Sequence, residues 1–179
     1  PECGIILTTT AVAADLVILA PHLDANQSAW TQVTWGTDQQ TRWETCIRTG
    51  ASIIDAIIWA GLKLTNTAVV ATDNDQVFFR YEEGVNAGEW ECISSINNAD
   101  TATDSNIVVA INTNYHLVIE IASDRTARFY IDGVLIFTAA ALTNAVDFIP
   151  YVGIEVQAAG AAGAKAITVR GQAISRNVA

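Results

Sequence analysis

Positive charge is scarce in this sequence. Nine Lys and Arg stand against nineteen Asp and Glu, a formal charge of −10. So few cations leave no basic patch to neutralise phosphates, so no nucleic-acid partner is expected. The acidic exterior keeps the particle dissolved and repels anionic surfaces. Histidine is nearly missing: His22 and His116 are the only two. Neither lies in a nucleophile elbow, and Ser28, Ser52 and Ser175 lack a G-x-S-x-G setting, which argues against a serine triad. The three cysteines, Cys3, Cys46 and Cys92, are odd in number and widely spaced, fitting neither a disulfide framework nor a metal knuckle. Cys46 and Cys92 sit in strand-like runs and read as small buried apolar side chains; one bridge involving Cys3 is left open. Long apolar runs are missing too. The best, AVAADLVILA (Ala11–Ala20), is interrupted by Asp15 and falls short of the ~20 residues of a spanning helix. It lacks the basic start of a signal peptide, and no membrane partner is expected. There is no Met, and the chain opens at Pro1. Either an initiator Met was removed or the start of a longer polypeptide is missing.

What is present is apolar. Half the residues are hydrophobic (51%) and only 16% charged, which excludes disorder as a starting point. A chain of 179 residues suits one domain that buries about 70% of its unfolded surface. The stretch RFYIDGVLIF (Arg128–Phe137) sets Asp132-Gly133 between two runs of β-branched and aromatic residues, a strong hairpin signal because a type I′ turn needs positive φ at both central positions. A two-residue turn predicts that Phe129, Ile131, Val134 and Ile136 share one face and Arg128, Tyr130, Leu135 and Phe137 the other. That second face is apolar enough to expect a cover. Asp132 is read as a turn residue.

The same pattern recurs. YHLVIEI (Tyr115–Ile121) alternates. VFFRYEE (Val77–Glu83) and EWECISSI (Glu89–Ile96) flank GVNAG, and PYVGIEVQ and KAITVRGQAI flank AAGAAGA, read as a flexible tip. NIVVAI (Asn106–Ile111) follows a polar stretch, NNADTATDS, read as a loop. Short helical pieces are predicted near Ser52–Ile58 and Leu142–Phe148, and IIDAIIWAGLKL (Ile53–Leu64) is ambiguous between helix and buried strand. Short strands at short intervals predict an all-β, two-sheet antiparallel sandwich or barrel with short helical turns.

NTNYHLVIEIASDRTARFYIDGVLIF resembles the late hairpins of concanavalin A-like lectin/glucanase jelly rolls. WETCIRTG and ITVRGQAISR fit the same architecture. The resemblance therefore covers roughly residues 40–176 of a single domain spanning 1–179, with 1–39 as N-terminal strands or an arm. GLKLTNTAVVATDNDQVFFRYEEGVNAGEW is similar to versions of this module in structural proteins of tailed bacteriophages. The fold hosts many roles, so it does not by itself fix one.

A glucanase of this fold would need an E-x-D-x-E type strand, with carboxylates about 5–5.5 Å apart for a retaining mechanism. None is present. Glu89 and Glu91 share a strand face by period two, but without a third acid they read as solvated charges. No catalytic residue and no enzyme activity are expected. TDND (Thr72–Asp75) and NADTATDS (Asn98–Ser105) place oxygen ligands in loops, as calcium requires, at no known spacing. They read as turn formers; no cofactor or metal is assigned, with calcium left open. Of the five tryptophans, Trp43 and Trp90 are assigned to packing. Trp30 and Trp35, in a more polar stretch, are the binding candidates.

The expectation is therefore a non-catalytic structural or surface protein of a virion, a capsid decoration or fibre module located on the particle surface. It would work through self-association, by analogy as a homotrimer, and with other virion proteins. Tyr130, Leu135 and Phe137 are its interface candidates. The alternative is a carbohydrate-binding, lectin-like module with surface glycans as partners.

Overall fold

The computed structural model describes residues 3–20, 35–65, 73–158 and 163–177. Twelve strands make up the fold: β1 (Ile5–Thr8), β2 (Leu16–Leu19), β3 (Arg42–Thr49), β4 (Ala56–Lys63), β5 (Gln76–Glu82), β6 (Glu89–Ile96), β7 (Ala99–Val108), β8 (Asn114–Ile121), β9 (Thr126–Ile131), β10 (Val134–Ala141), β11 (Ile149–Val156) and β12 (Ala166–Ser175). They form two antiparallel six-stranded sheets. The first has the order β1-β12-β3-β8-β9-β10 and the second β2-β11-β4-β5-β6-β7. The all-β jelly-roll sandwich expected from the sequence is what the chain forms.

Strand alternation decides what lies between the sheets. From the first sheet come Trp43, Ile47, Leu117, Ile119, Phe129 and Ile131; from the second, Ile58, Leu62, Val77, Phe79, Trp90 and Ile154, all in one buried cluster. Phe79 meets Phe129 edge-on at 5.3 Å, and Trp90 meets Tyr115 at 5.6 Å and 77°. Each such side chain contributes about 1.5–3 kcal/mol on burial. Trp43 and Trp90 are packing residues, as read from the sequence.

The Asp132-Gly133 turn has φ of 51° and 82°, so both central residues are left-handed as a type I′ turn demands. Asp132 also ties the hairpin to β8: its Oδ1 accepts from the His116 N–H at 2.8 Å, and its own N–H donates to the His116 carbonyl.

Four expectations need correction. The face assignment of the hairpin holds only for its tip. Val134 pairs with Ile131 and Leu135 with Tyr130, but a bulge then sets Phe137 opposite Phe129. The extra residue reverses the alternation, so Phe137 packs against Phe129, ring centres 6.0 Å apart and planes tilted by 37°, and against the core instead of sharing an outer face with Tyr130 and Leu135. Second, much of NNADTATDS is strand: β7 pairs with β6 from Ala99 onward. Its composition is polar because it is an edge strand, exposed along most of its length. Third, neither Ser52–Ile58 nor Leu142–Phe148 is helical, and Ala56–Lys63 is strand. The helical piece among the described residues is a 3₁₀ turn at Asn86–Gly88. Fourth, Cys46 is only half-buried, pointing out of β3, whereas Cys92 is buried between the sheets; all three cysteines are free thiols.

Candidate functional site

The strands of the second sheet are apolar on both sides. In β4, Ala56, Ile58, Ala60 and Leu62 face the other sheet, which puts Ile57, Trp59, Gly61 and Lys63 on the outside. There Trp59, Phe78, Ile93 and Tyr151 form a second buried cluster, distinct from the intersheet core, with Leu16, Ile18 and Ile57 packed against it.

The register places these side chains in rows across the sheet. One row reads Glu155, Ile57, Glu82; the next Gly153, Trp59, Arg80, Glu91, Asp104; the next Tyr151, Gly61, Phe78, Ile93. A fourth holds Lys63, Gln76, Ser95 and Asp100. The face thus divides. Tyr151, Trp59, Lys63 and Gln76 are covered, each about 1% exposed, while Arg80, Glu82, Ile57 and Glu155 are half-open.

At the covered end Trp59 and Tyr151 stack with ring centres 6.0 Å apart and planes 14° from parallel. The Lys63 ammonium lies 4.7 Å over the Tyr151 ring and 3.9 Å from Asp73, whose carboxylate accepts from the Thr65 backbone and hydroxyl. Among the described residues, three polar atoms of this face have no hydrogen-bond partner: Trp59 Nε1, the Tyr151 hydroxyl and Gln76 Oε1. The indole N–H groups of Trp43 and Trp90 also lack one, but within the intersheet core. An unsatisfied buried polar group costs about 1–3 kcal/mol. Burial pushes the Tyr151 phenol up to about 12; Asp73 and Glu155 add to this, and the nearby Trp59 N–H opposes it without reaching hydrogen-bond geometry.

At the open end Arg80 Nε donates to Glu91 at 2.7 Å, and its Nη1 lies 3.6 Å from Glu82. Glu155 is raised above the usual carboxylate range, first by partial burial and then by the charge of Glu82. Glu91, paired in sequence with Glu89, is therefore a buried partner of Arg80; only Glu89 fits the reading of a solvated charge.

Of the binding candidates, Trp30 lies outside the described residues. Trp35 is half-buried, its carbonyl accepting from the Phe148 N–H, and belongs to none of these rows. Among the interface candidates, Leu135 is 51% exposed, Tyr130 is half-buried beside it, and Phe137 is turned inward. In the first of the two stretches considered for calcium, Asp73 holds Thr65, and Asp75 takes hydrogen bonds from Thr143 and the Asn97 backbone. Among the described residues no three His, Cys, Asp or Glu gather as they would for a metal ion.

Residues 25–170 match the family described as SO2946-like, C-terminal domain. The chain belongs to this family. No curated protein matches it. Among solved structures, the protein of unknown function SO2946 from Shewanella oneidensis MR-1 is 15% identical, with a TM-score of 0.61 over 97% of this chain and 72% of that one. A family 7 alginate lyase, A1-II', is 12% identical, with a TM-score of 0.68 over 97% of this chain and 80% of the lyase. The carbohydrate-binding module CBM66 from Bacillus subtilis is 10% identical, with a TM-score of 0.54 over 98% and 99% of the two chains.

These likenesses establish the fold and correct one expectation. The absence of an E-x-D-x-E strand does not make this sandwich non-enzymatic, because the same architecture serves an alginate lyase across nearly the whole of this chain.

Proposed function

We propose that this domain recognises carbohydrate on the outer face of its second sheet. The observation that carries the reading is the half-open patch of Ile57, Arg80, Glu82 and Glu155 on that face, next to the covered pair Trp59 and Tyr151. Ligand sites set a few placed polar groups beside apolar surface. Sugar hydroxyls can donate to Glu82 and Glu155, and Ile57 offers an apolar edge between them. The proteins of like fold named above, a carbohydrate-binding module and a polysaccharide lyase, support the class of ligand.

The test is binding calorimetry and product detection on a panel of neutral and acidic polysaccharides, with the wild type beside Glu82→Gln and Glu155→Gln. Saturable binding, or cleavage, that weakens at least tenfold in either variant supports the reading. A panel that is neither bound nor cleaved, or binding untouched by both changes, overturns it.

One observation favours a second reading. Val134 and Leu135 are 61% and 51% exposed on β10, an edge strand of the first sheet. An apolar edge of this kind suits contact with a second copy, in line with a virion-surface part that assembles as a trimer. Light scattering on the purified chain tests it: a trimer dispersed by Leu135→Glu supports assembly through this edge, and a monomer overturns it.

A further inference from the structure

The outer face of the first sheet holds a cleft of about 470 Å³ at one end of the row Ser175, Arg42, Glu120, Arg128. Three of the chain's nine basic residues, Arg42, Arg128 and Arg176, line it against one carboxylate, Glu120. In a chain of formal charge −10 this concentration is unusual.

The walls are held. Arg42 donates from Nε to Glu120 at 3.0 Å and lies 2.7 Å from Glu44. The C-terminal wall is tied back by Arg176 to Gln39, by the Asn177 N–H to the Gln39 carbonyl at 3.0 Å, and by the Asn177 amide to Gln40 at 2.7 Å. Arg128 differs. It stands across from Glu120 in the ladder, yet Glu120 pairs with Arg42, and exposed Arg128 joins no carboxylate in an ion pair among the described residues. Its guanidinium lies beside the Tyr130 hydroxyl, and its charge reaches Asp124 only at a distance. The hydroxyls of Ser123 and Ser175 add neutral donors to the lining.

We infer that this cleft binds an oxyanion group, with the Arg128 guanidinium as the principal contact and Arg176 closing the opposite wall. A guanidinium offers a planar fork that matches carboxylate, sulfate or phosphate through paired hydrogen bonds. Arg42 takes up Glu120, so the Arg128 fork keeps only the neutral Tyr130 hydroxyl beside it and retains donors for an anion. The site lies on the sheet opposite the carbohydrate face and stands independently of it.

The experiment titrates the wild type at low ionic strength, by ¹H–¹⁵N chemical-shift mapping and calorimetry, with glucuronate, glucose 6-sulfate, inorganic phosphate and neutral glucose. The three anions separate the sources of the group, and glucose controls for hydroxyl contacts alone. Saturable binding of at least one anion is expected, with shifts at Ser123, Arg128 and Ser175 and affinity falling as salt rises. Arg128→Gln should weaken it at least tenfold, Arg128→Lys by less, and Arg170→Gln, on the same sheet but outside the cleft, not at all. Arg128 is exposed, so its variants should melt with the wild type, and a matching melt excludes misfolding as the cause. No saturable binding of any anion, equal binding of glucose, or an affinity unchanged in Arg128→Gln overturns the site.

Discussion

Gly153 on β11 stands directly opposite Trp59 on β4, and the indole occupies the space a side chain there would need. A Cβ at position 153 would fall 2.7 Å from both Cε2 and Nε1 of Trp59. The glycine therefore sets the tilt that lets Trp59 reach Tyr151. Gly153→Ala should push the indole off this position and destabilise the domain by about 1–3 kcal/mol, as overpacking does. A lower urea midpoint together with an altered near-UV circular dichroism band would show it; an unchanged band would mean that Trp59 does not depend on the glycine.

Glu155 gives a pH-dependent prediction. Its folded pKa is raised by partial burial and by Glu82, so the fold favours the protonated acid. The contribution is present below the ordinary carboxylate range and lost as pH rises through the raised value. Glu155→Gln should accordingly raise the urea midpoint at neutral pH, with the difference closing as the acid protonates at low pH. A variant less stable than the wild type at pH 7 would mean that the carboxylate makes a stabilising contact in the fold.

The β10 bulge predicts opposite behaviour for two residues two positions apart. Phe137 packs against Phe129 at the edge of the core, so Phe137→Ala should cost roughly 2–4 kcal/mol, near the usual range for an aromatic truncation. Leu135 is exposed, and in the isolated chain Leu135→Ala should stay within about 0.5 kcal/mol. Chemical denaturation of the two variants side by side checks the assignment of faces.

These cases show what could be read in the sequence. The Asp132-Gly133 hairpin and the strands on both sides of GVNAG carry local signals, turn residues that need positive φ and side chains that alternate, and both were legible. The fate of Phe137 was not, because a single bulged residue reverses a face without leaving a mark in the composition. β7 was hidden for a related reason: an edge strand exposed on both sides has no apolar alternation, so ADTATDS reads as a loop. The outer face of the second sheet was legible only in outline. IIWAGLK and VFFRYE are nearly continuous apolar runs, the mark of strands covered on both faces. Which of their residues meet depends on register across four strands, and no local pattern brings Arg80, Glu155 and Tyr151 together.

A buried pair yields the largest expected effect. Lys63 and Asp73 are both about 1% exposed in their side chains, and their charges lie 3.9 Å apart. Asp73→Ala would leave the ammonium without that carboxylate and remove the anchor of Thr65, a loss of about 3–5 kcal/mol. Lys63→Met together with Asp73→Asn removes both charges and should recover most of it. A single variant as stable as the wild type would show that Lys63 is compensated by its other contacts.

Tyr151 ties stability to alkaline pH. Its phenol is held at about 12 against an ordinary value of 10, chiefly by burial. Between those values the unfolded chain loses a proton that the folded chain keeps, so stability falls as pH rises from 10 to 12 and is unaffected below. The full shift corresponds to on the order of 3 kcal/mol. Cys92, raised from 9 to about 12, and Tyr81, raised to about 12, act in the same direction, which starts the decline near pH 9. Tyr151→Phe should flatten the fall above pH 10. At neutral pH it also removes a buried hydroxyl that has no partner, and should leave the domain as stable as before or more so. Tyr151 is about 1% exposed, so the same variant should leave carbohydrate binding intact. Urea midpoints from pH 7 to 12 check this: a fall above pH 10 as steep in Tyr151→Phe as in the wild type would mean that Tyr151 does not carry the effect.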